Sequence, residues 1–155
     1  MISIIPVSVN NKLFGIEISY ISEIITQKEF FIVPKVPSFT IGLVNIRGEI
    51  IPVFNLGTVL FNLKGEFKDK ILQNVVLCGV FEKKFCLFVD KIYKVVYAGD
   101  ESIKSYTENI WKDVKFIKFF VDVKELGSLV GVLDMENIVK YIEKANVGFY
   151  RSFRR

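Results

Sequence analysis

The sequence predicts a mainly β fold made of two small, related β-barrels. The first observation is an internal repeat: GEIIPVFNLGTVL, which starts at Gly48, returns 79 residues later as GSLVGVLDMENIV, which starts at Gly127. The second is a match at an offset of 71, where FGIEISYISEII from Phe14 aligns with FCLFVDKIYKVV from Phe85. Two matches in the same order favour a duplicated unit over a chance likeness of apolar strands, and two copies are too few for a solenoid.

Residues 2–9 and 12–18 are β-rich, and the pair Asn10-Asn11 between them tolerates the positive φ of a tight hairpin turn. Residues 43–46 and 50–54 flank Arg47-Gly48, which predicts a second hairpin or a bulge. Within it, Pro52 favours an edge position, because proline cannot donate to a β-ladder.

Each repeat continues into a short amphipathic helix. Asn55 and Asp134 are competent N-caps, and apolar residues follow each at helical spacing. The two predicted apolar faces are Leu56, Val59, Leu60 and Leu63, and Met135, Ile138, Val139 and Ile142. Their agreement in strand, cap and helix supports the duplication more than residue identity does.

Polar residues 64–70 predict a surface loop between the copies, and residues 100–115 predict a loop with one irregular turn. Two further hairpins are expected, one from residues 75–81 and 85–89 and one from residues 116–123 and 128–133. We therefore predict a single domain over residues 1–155. It has subdomains at about 10–70 and 71–143, with exchange of terminal strands left open, and a basic aromatic extension at 144–155.

Composition excludes several classes of protein. The chain has 155 residues, of which 51% are hydrophobic and 25% charged, as in an ordinary globular domain. No apolar run reaches the roughly 18 residues of a membrane helix, and residues 1–9 lack the features of a signal peptide. We therefore expect a cytoplasmic protein without a transmembrane segment.

The sequence also argues against catalysis. It contains no histidine and no Gly-rich phosphate loop, and Cys78 and Cys86 are eight residues apart rather than in a CxxC motif. We interpret both cysteines as core residues and expect no enzyme activity, no cofactor and no metal.

The net charge is +4, but Arg151, Arg154 and Arg155 supply three of these charges. The nearly neutral remainder predicts no nucleic-acid groove and disfavours the alternative of a barrel that binds single strands through aromatics. The basic tail fits an acidic partner, an anionic lipid surface or simply a solvated end.

The motifs together resemble those of the CheW family. They are V-P-x-x-P, then a glycine three residues before N-I-R-G, then I-I-P-V-x-N-L, and later F-x-L-x-V-D. In this chain they comprise Val33, Pro34, Pro37, Gly42, Asn45 to Gly48, Ile50 to Val53, Asn55, Leu56, Phe85, Leu87, Val89 and Asp90. The resemblance runs from about Val7 to Ile142.

Membership would imply a fold of two SH3-like five-stranded barrels and a non-enzymatic adaptor role. Such adaptors link the cytoplasmic tips of chemoreceptors to the regulatory domain of the histidine kinase CheA, with other CheW copies as possible ring partners. The expected location is cytoplasmic, peripheral to the inner membrane through receptor arrays. A groove between the barrels would accept the receptor's helical hairpin.

By motif match, the resemblance assigns the receptor contact to Arg47 and pairs it with Glu23. Ile21, Ile24 and Ile25 would form the groove wall, and Gly42 would permit a close backbone approach. The alternatives are a structural role for Arg47 and ordinary barrel core for the isoleucines.

Three residues depart from the family pattern. Cys86 and Asn55 replace the usual glycine and aspartate, and Phe119 stands where relatives often have glycine in Y-I-x-G. Phe119 therefore predicts an altered interface in the second subdomain. The alternative function is a divergent adaptor that meets the kinase in array rings without a receptor, or one that serves another sensory pathway.

Overall fold

The computed structural model describes residues 1–63, 71–104, 111, 112 and 114–145. The chain is mainly β, as predicted. Its strands are β1 (Ile2–Val9), β2 (Lys12–Glu17), β3 (Ile21–Ile25), β4 (Lys28–Glu29), β5 (Thr40–Ile46), β6 (Glu49–Asn55), β7 (Ile71–Leu72), β8 (Val75–Val80), β9 (Lys83–Phe88), β10 (Lys91–Ile92), β11 (Val96–Ala98), β12 (Ile103–Lys104), β13 (Ile117–Val123) and β14 (Ser128–Leu133). The described helices are α1 (Leu56–Phe61) and α2 (Met135–Ala145), with single 3-10 turns at Ile18–Tyr20, Asp100–Ser102 and Lys124–Leu126. The predicted loop at 64–70 and all but the start of the predicted extension lie outside the described residues.

Most strands belong to two sheets. A five-stranded sheet has the order β3-β8-β9-β6-β5, and a seven-stranded sheet has the order β10-β1-β2-β14-β13-β12, with β11 also paired to β1. Strands β4 and β7 form a small separate pair. The five strands predicted for each barrel match the first sheet, and short strands β11 and β12 enlarge the second.

The internal repeat explains why the sheets are alike. Strand β6 runs parallel to β9 with Val53 opposite Cys86, and β14 runs parallel to β2 with Val132 opposite Gly15. In the internal repeat, Val53 corresponds to Val132 at the offset of 79, and Gly15 corresponds to Cys86 at the offset of 71. Each sheet therefore combines a hairpin from one copy, β1–β2 or β8–β9, with strands from the other copy.

Three apolar clusters hold this arrangement together. One lies between the sheets and contains residues of β1, β2, β8 and β9 together with both helices. The other two each belong to one sheet, the five-stranded and the seven-stranded respectively. Cys78 belongs to the first cluster and Cys86 to that of the five-stranded sheet, and both are fully buried, so their interpretation as core residues is confirmed.

The described chain has three two-residue hairpin turns, and two of them follow the local sequence. Asn10 and Asn11 have φ of 51° and 64°, and Arg47 and Gly48 have 50° and 87°, which fits two-residue turns whose central residues both need positive φ. The third turn differs from the prediction: β8 ends at Val80 and β9 begins at Lys83, so the turn lies at Phe81-Glu82 rather than over residues 82–84.

The prediction for Pro52 is wrong, because β6 lies between β5 and β9. Its pairing with β9 starts at Val53, so Pro52 precedes the ladder that would need its N–H. The described part of the segment predicted as a loop over residues 100–115 contains the short strand Ile103–Lys104, which pairs with β13. Residues 105–110 and 113 of that segment lie outside the described residues.

Both predicted caps are confirmed. The Asn55 side chain accepts a hydrogen bond from the Gly57 N–H at 3.0 Å, and Asp134 accepts one from the Asn137 N–H at 3.2 Å. Leu63 was wrongly placed on the first helix, because Asn62 ends that helix in the left-handed conformation, φ 54°, and leaves Leu63 exposed.

Candidate functional site

The predicted receptor contact centres on the β5–β6 turn. The Asn45 side chain accepts a hydrogen bond from the Gly48 N–H at 2.9 Å, and the strands pair up to Ile46 and Glu49 on either side. These contacts hold the turn in a conformation in which Arg47 and Gly48 both have positive φ. Asn45 belongs to the family motif, and its side chain stabilises the turn that carries Arg47.

Arg47 and Glu23 are brought together as the sequence predicts. The Arg47 Nη2 lies 2.8 Å from the Glu23 Oε2, and the two side chains remain 73% and 38% exposed. Since β3 is one edge of the five-stranded sheet and the β5–β6 hairpin the other, the sheet is curved enough to bring its edges within side-chain reach.

This contact perturbs both titrating groups. The hydrogen bond from Arg47 lowers the pKa of Glu23 below its ordinary value of 4.5, and the same bond raises the pKa of Arg47. Both groups stay ionised near neutral pH. The exposed pair therefore orients a charged guanidinium rather than holding the fold together.

The three isoleucines of β3 have different environments. Ile21 is half-buried against the cluster between the sheets, and Ile25 is half-buried against the cluster of the five-stranded sheet. Ile24 is 38% exposed. Ile50, which pairs with Asn45 beside the Arg47 turn, is also exposed. Ile24 and Ile50 therefore offer apolar surface to a partner, whereas Ile21 and Ile25 also serve as core.

Gly42 does permit a close backbone approach, and the approaching segment belongs to this chain. A Cβ at Gly42 would lie 2.1 Å from the Phe31 carbonyl oxygen. Phe31 and Leu43 exchange two backbone hydrogen bonds, of 2.7 and 2.8 Å, so this segment lies along the outer edge of β5. Gly42 would therefore contribute to any receptor contact through the shape of the β5 edge.

Phe119 lies in β13 opposite Val132, next to a bulge. It is half-buried against the cluster of the seven-stranded sheet. The Lys118 Nζ sits 5.7 Å from the centre of its ring and 2.8 Å from the Glu17 Oε1. The glycine-to-phenylalanine departure thus adds a packed aromatic and leaves part of it at the surface.

An apolar groove on the seven-stranded sheet was not predicted from the sequence. It has a volume of about 630 Å³, and its walls include Ile92, Tyr93, Val95, Tyr97 and Leu126. Tyr97 is 65% exposed and Val95 37%. The available signal was the aromatic and apolar content of residues 92–97, which follow the F-x-L-x-V-D motif.

Other kinds of site find no support in the described residues. In the ranges given above, no three His, Cys, Asp or Glu side chains come together as metal ligands, and no helix has the length and hydropathy to cross a membrane. Burial raises the pKa of Cys86 to about 12 and raises that of Cys78 as well. Both thiols are therefore protonated and poorly nucleophilic at neutral pH.

With the fold and this surface described, comparison with known proteins gives the class. A family model for the CheW-like domain matches residues 3–143. The chain belongs to the CheW-like family. It is 29% identical over 105 residues to the chemotaxis protein CheW of Treponema pallidum (strain Nichols), a match that covers 66% of this chain and 61% of that protein.

A second relative is the chemotaxis protein CheW of Thermotoga maritima, 22% identical over 141 residues, covering 90% of this chain and 88% of the relative. The scaffolding protein TtCheW from Thermoanaerobacter tengcongensis has a solved structure that superimposes with a TM-score of 0.72. That match has 23% identity and covers 85% of this chain and 88% of the other. At this identity the likeness shows that the fold is shared. The match to the Treponema protein spans less than two thirds of its length.

Proposed function

We propose that this chain is a non-enzymatic chemotaxis adaptor that couples the cytoplasmic tips of chemoreceptors to the histidine kinase CheA. The observation that carries the proposal is the oriented, largely exposed guanidinium of Arg47 within the N-I-R-G motif. The family match and the chemotaxis names of the relatives support the setting. In this role the protein is cytoplasmic and is peripheral to the inner membrane through receptor arrays.

The receptor side of the coupling would use the Arg47 turn and its apolar neighbours. Arg47 supplies a charge whose direction is set by Glu23, and Ile24 and Ile50 supply exposed apolar contacts. An amphipathic helix that binds a groove uses this combination of an apolar strip and a polar rim. The groove of residues 92–97 is a second exposed apolar surface available to a helical receptor tip.

The kinase side would use other faces of the two sheets. A regulatory domain with the same fold presents related surfaces, and further CheW copies would compete for them in a ring. Such assemblies tolerate weak individual contacts, because each copy is held at several points.

The test is binding of the purified protein to two fragments from the same cell, a receptor cytoplasmic tip and the kinase regulatory domain. Arg47→Glu reverses the charge on an exposed turn, so it should abolish binding to the tip while the thermal melt stays near that of the native chain. Lys104→Glu reverses an exposed charge on the other sheet and is the matched control. Unchanged tip affinity in folded Arg47→Glu would defeat the assignment to this turn.

Variants of the groove locate the receptor surface further. Val95→Asp should weaken tip binding if the groove of residues 92–97 takes part, and Ile24→Asp should weaken it if β3 does. Binding to the kinase domain without any binding to the tip would instead favour the divergent adaptor, with Phe119 as the first residue to change.

A further inference from the structure

Two carboxylates act on the guanidinium of Arg47. Glu23 on β3 accepts a hydrogen bond from the Arg47 Nη2 at 2.8 Å, and Glu49 is the first residue of β6 after the turn. The hydrogen bond to Glu23 and the charge of Glu23 raise the pKa of Arg47, and the charge of Glu49 raises it as well. Glu49 is therefore a second carboxylate that attracts the guanidinium.

Arg47 is able to bind either carboxylate. Its guanidinium carries five N–H donors, and its side chain is 73% exposed, so little packing restrains it. If both carboxylates were open to it, the guanidinium would alternate between Glu23 and Glu49, and its direction at the surface would vary. A defined direction toward Glu23 therefore depends on what else engages Glu49.

Lys84 engages Glu49 from the neighbouring strand. The Lys84 Nζ lies 3.0 Å from one Glu49 carboxylate oxygen and 3.2 Å from the other, so it contacts both acceptors at once. Strand β9 brings the lysine to this place because it runs parallel to β6. Successive side chains of a strand point to opposite faces, and the preceding Lys83 forms its ion pair with Glu143 of α2 instead.

The Lys84–Glu49 pair adds little to the stability of the fold. Its side chains are 53% and 58% exposed, and ion pairs at such a surface are screened by water and salt. In the β8–β9 ladder Lys84 lies opposite Gly79, which has no side chain to pack against it. The main effect of the pair is therefore on the carboxylate that Glu49 offers to Arg47.

We propose that Lys84 is a positioning residue for Arg47. By contacting both carboxylate oxygens of Glu49, it keeps the guanidinium on Glu23 and so fixes the direction in which Arg47 meets a partner. Lys84 acts through Glu49 and does not itself touch the partner. The role of Arg47 in binding rests on the proposed function, whereas the arrangement of these four charges does not.

NMR titration of Glu23 tests the arrangement in the free protein. Lys84→Met removes the charge and keeps an unbranched side chain, so Glu49 is released to compete for Arg47. The pKa of Glu23, lowered in the native chain by the hydrogen bond from Arg47, should then rise toward 4.5. The described charges that act directly on Glu23 are those of Arg47 and Lys28, so a change at Lys84 reaches Glu23 through Arg47. Every variant retains Lys28.

A second substitution shows whether Lys84 acts through Glu49. The double variant Lys84→Met, Glu49→Gln lacks the competing carboxylate, so the pKa of Glu23 should return to its native value. Lys83→Met removes a charge from the same strand and is the matched control, which should leave the pKa of Glu23 unchanged. The proposal is overturned if that pKa does not move in Lys84→Met, or if it stays raised in the double variant.

Binding to the receptor tip fragment is the second measurement. Lys84→Met should weaken the affinity roughly threefold, in keeping with the modest energy of an exposed charge contact, and adding Glu49→Gln should restore it. With a tip that binds the native chain, unchanged affinity in Lys84→Met, or a loss that Glu49→Gln does not restore, rejects the positioning role. If the native chain binds no tip, the proposed function fails, and the titration alone then confirms or rejects the positioning of Arg47.

Discussion

Replacing Gly42 by alanine should destabilise the fold because the new methyl group meets the backbone of the chain itself. The Cβ would lie 2.1 Å from the Phe31 carbonyl oxygen, well inside the 3.4 Å at which ordinary contact begins, and 3.1 Å from the Phe30 ring. A flexible side chain could move aside. The Phe31 carbonyl accepts a hydrogen bond from the Leu43 N–H, and the Phe31 N–H donates one to the Leu43 carbonyl, so this backbone cannot move aside without breaking both.

The expected cost follows from what must be displaced. Two backbone hydrogen bonds contribute about 1 kcal/mol each, and partial loss of Phe30 packing adds to this, so Gly42→Ala should lower the free energy of unfolding by about 3 kcal/mol. Gly79→Ala is the matched control. Its Cβ would meet only the Ser22 Oγ at 3.9 Å, and we expect a change within about 0.5 kcal/mol.

Urea unfolding of both variants gives the two free energies, and hydrogen exchange at the amides of Phe31 and Leu43 shows whether the edge segment has detached. The reasoning is refuted if Gly42→Ala and Gly79→Ala unfold at the same urea concentration with both amides still protected.

Three further outcomes are expected. Arg47→Ala should return the pKa of Glu23 toward 4.5, as followed by NMR titration. Because the pKa of Glu23 is lowered in the folded chain, the small stabilisation from the pair is present above pH 4.5 and is lost as the pH falls through the pKa of folded Glu23. Arg47→Ala lacks this stabilisation, so its free energy of unfolding should fall less on acidification than that of the native chain. Phe119→Gly should cost about 2 kcal/mol in urea unfolding, because a half-buried ring is removed and glycine weakens a strand; a stabilised variant would mean that the ring only occludes a surface. Cys78 and Cys86 should resist a thiol reagent in the native chain and react once it is unfolded, and rapid native labelling would contradict their burial.

Features governed by local chemistry could be predicted from the sequence. Asn10-Asn11 and Arg47-Gly48 suit the positive φ of tight turns, and Asn55 and Asp134 carry the side-chain oxygens that cap helices. The pairing of Arg47 with Glu23 is not local chemistry, since it joins opposite edges of the sheet; it was expected only from the resemblance to the family. The role of these residues in binding a receptor stays a prediction.

Features set by tertiary pairing could not be predicted. Pro52 suggested an edge strand, yet it lies in an interior strand one residue before the parallel pairing begins. The Phe81-Glu82 turn was missed because neither residue favours a left-handed backbone. The groove of residues 92–97 forms because β10 and β11 both pair with β1, a contact between distant parts of the chain.

The exchange of hairpins between the two copies constrains the order of events during synthesis. The five-stranded sheet needs only residues 21–88. All of its strands can therefore emerge from the ribosome and pair while the rest of the chain is still being synthesised. The seven-stranded sheet must wait for β14, although β1 and β2 are the first strands to emerge. During that interval the N-terminal hairpin has exposed apolar residues and an open edge, so slow translation of the second half would prolong its risk of aggregation.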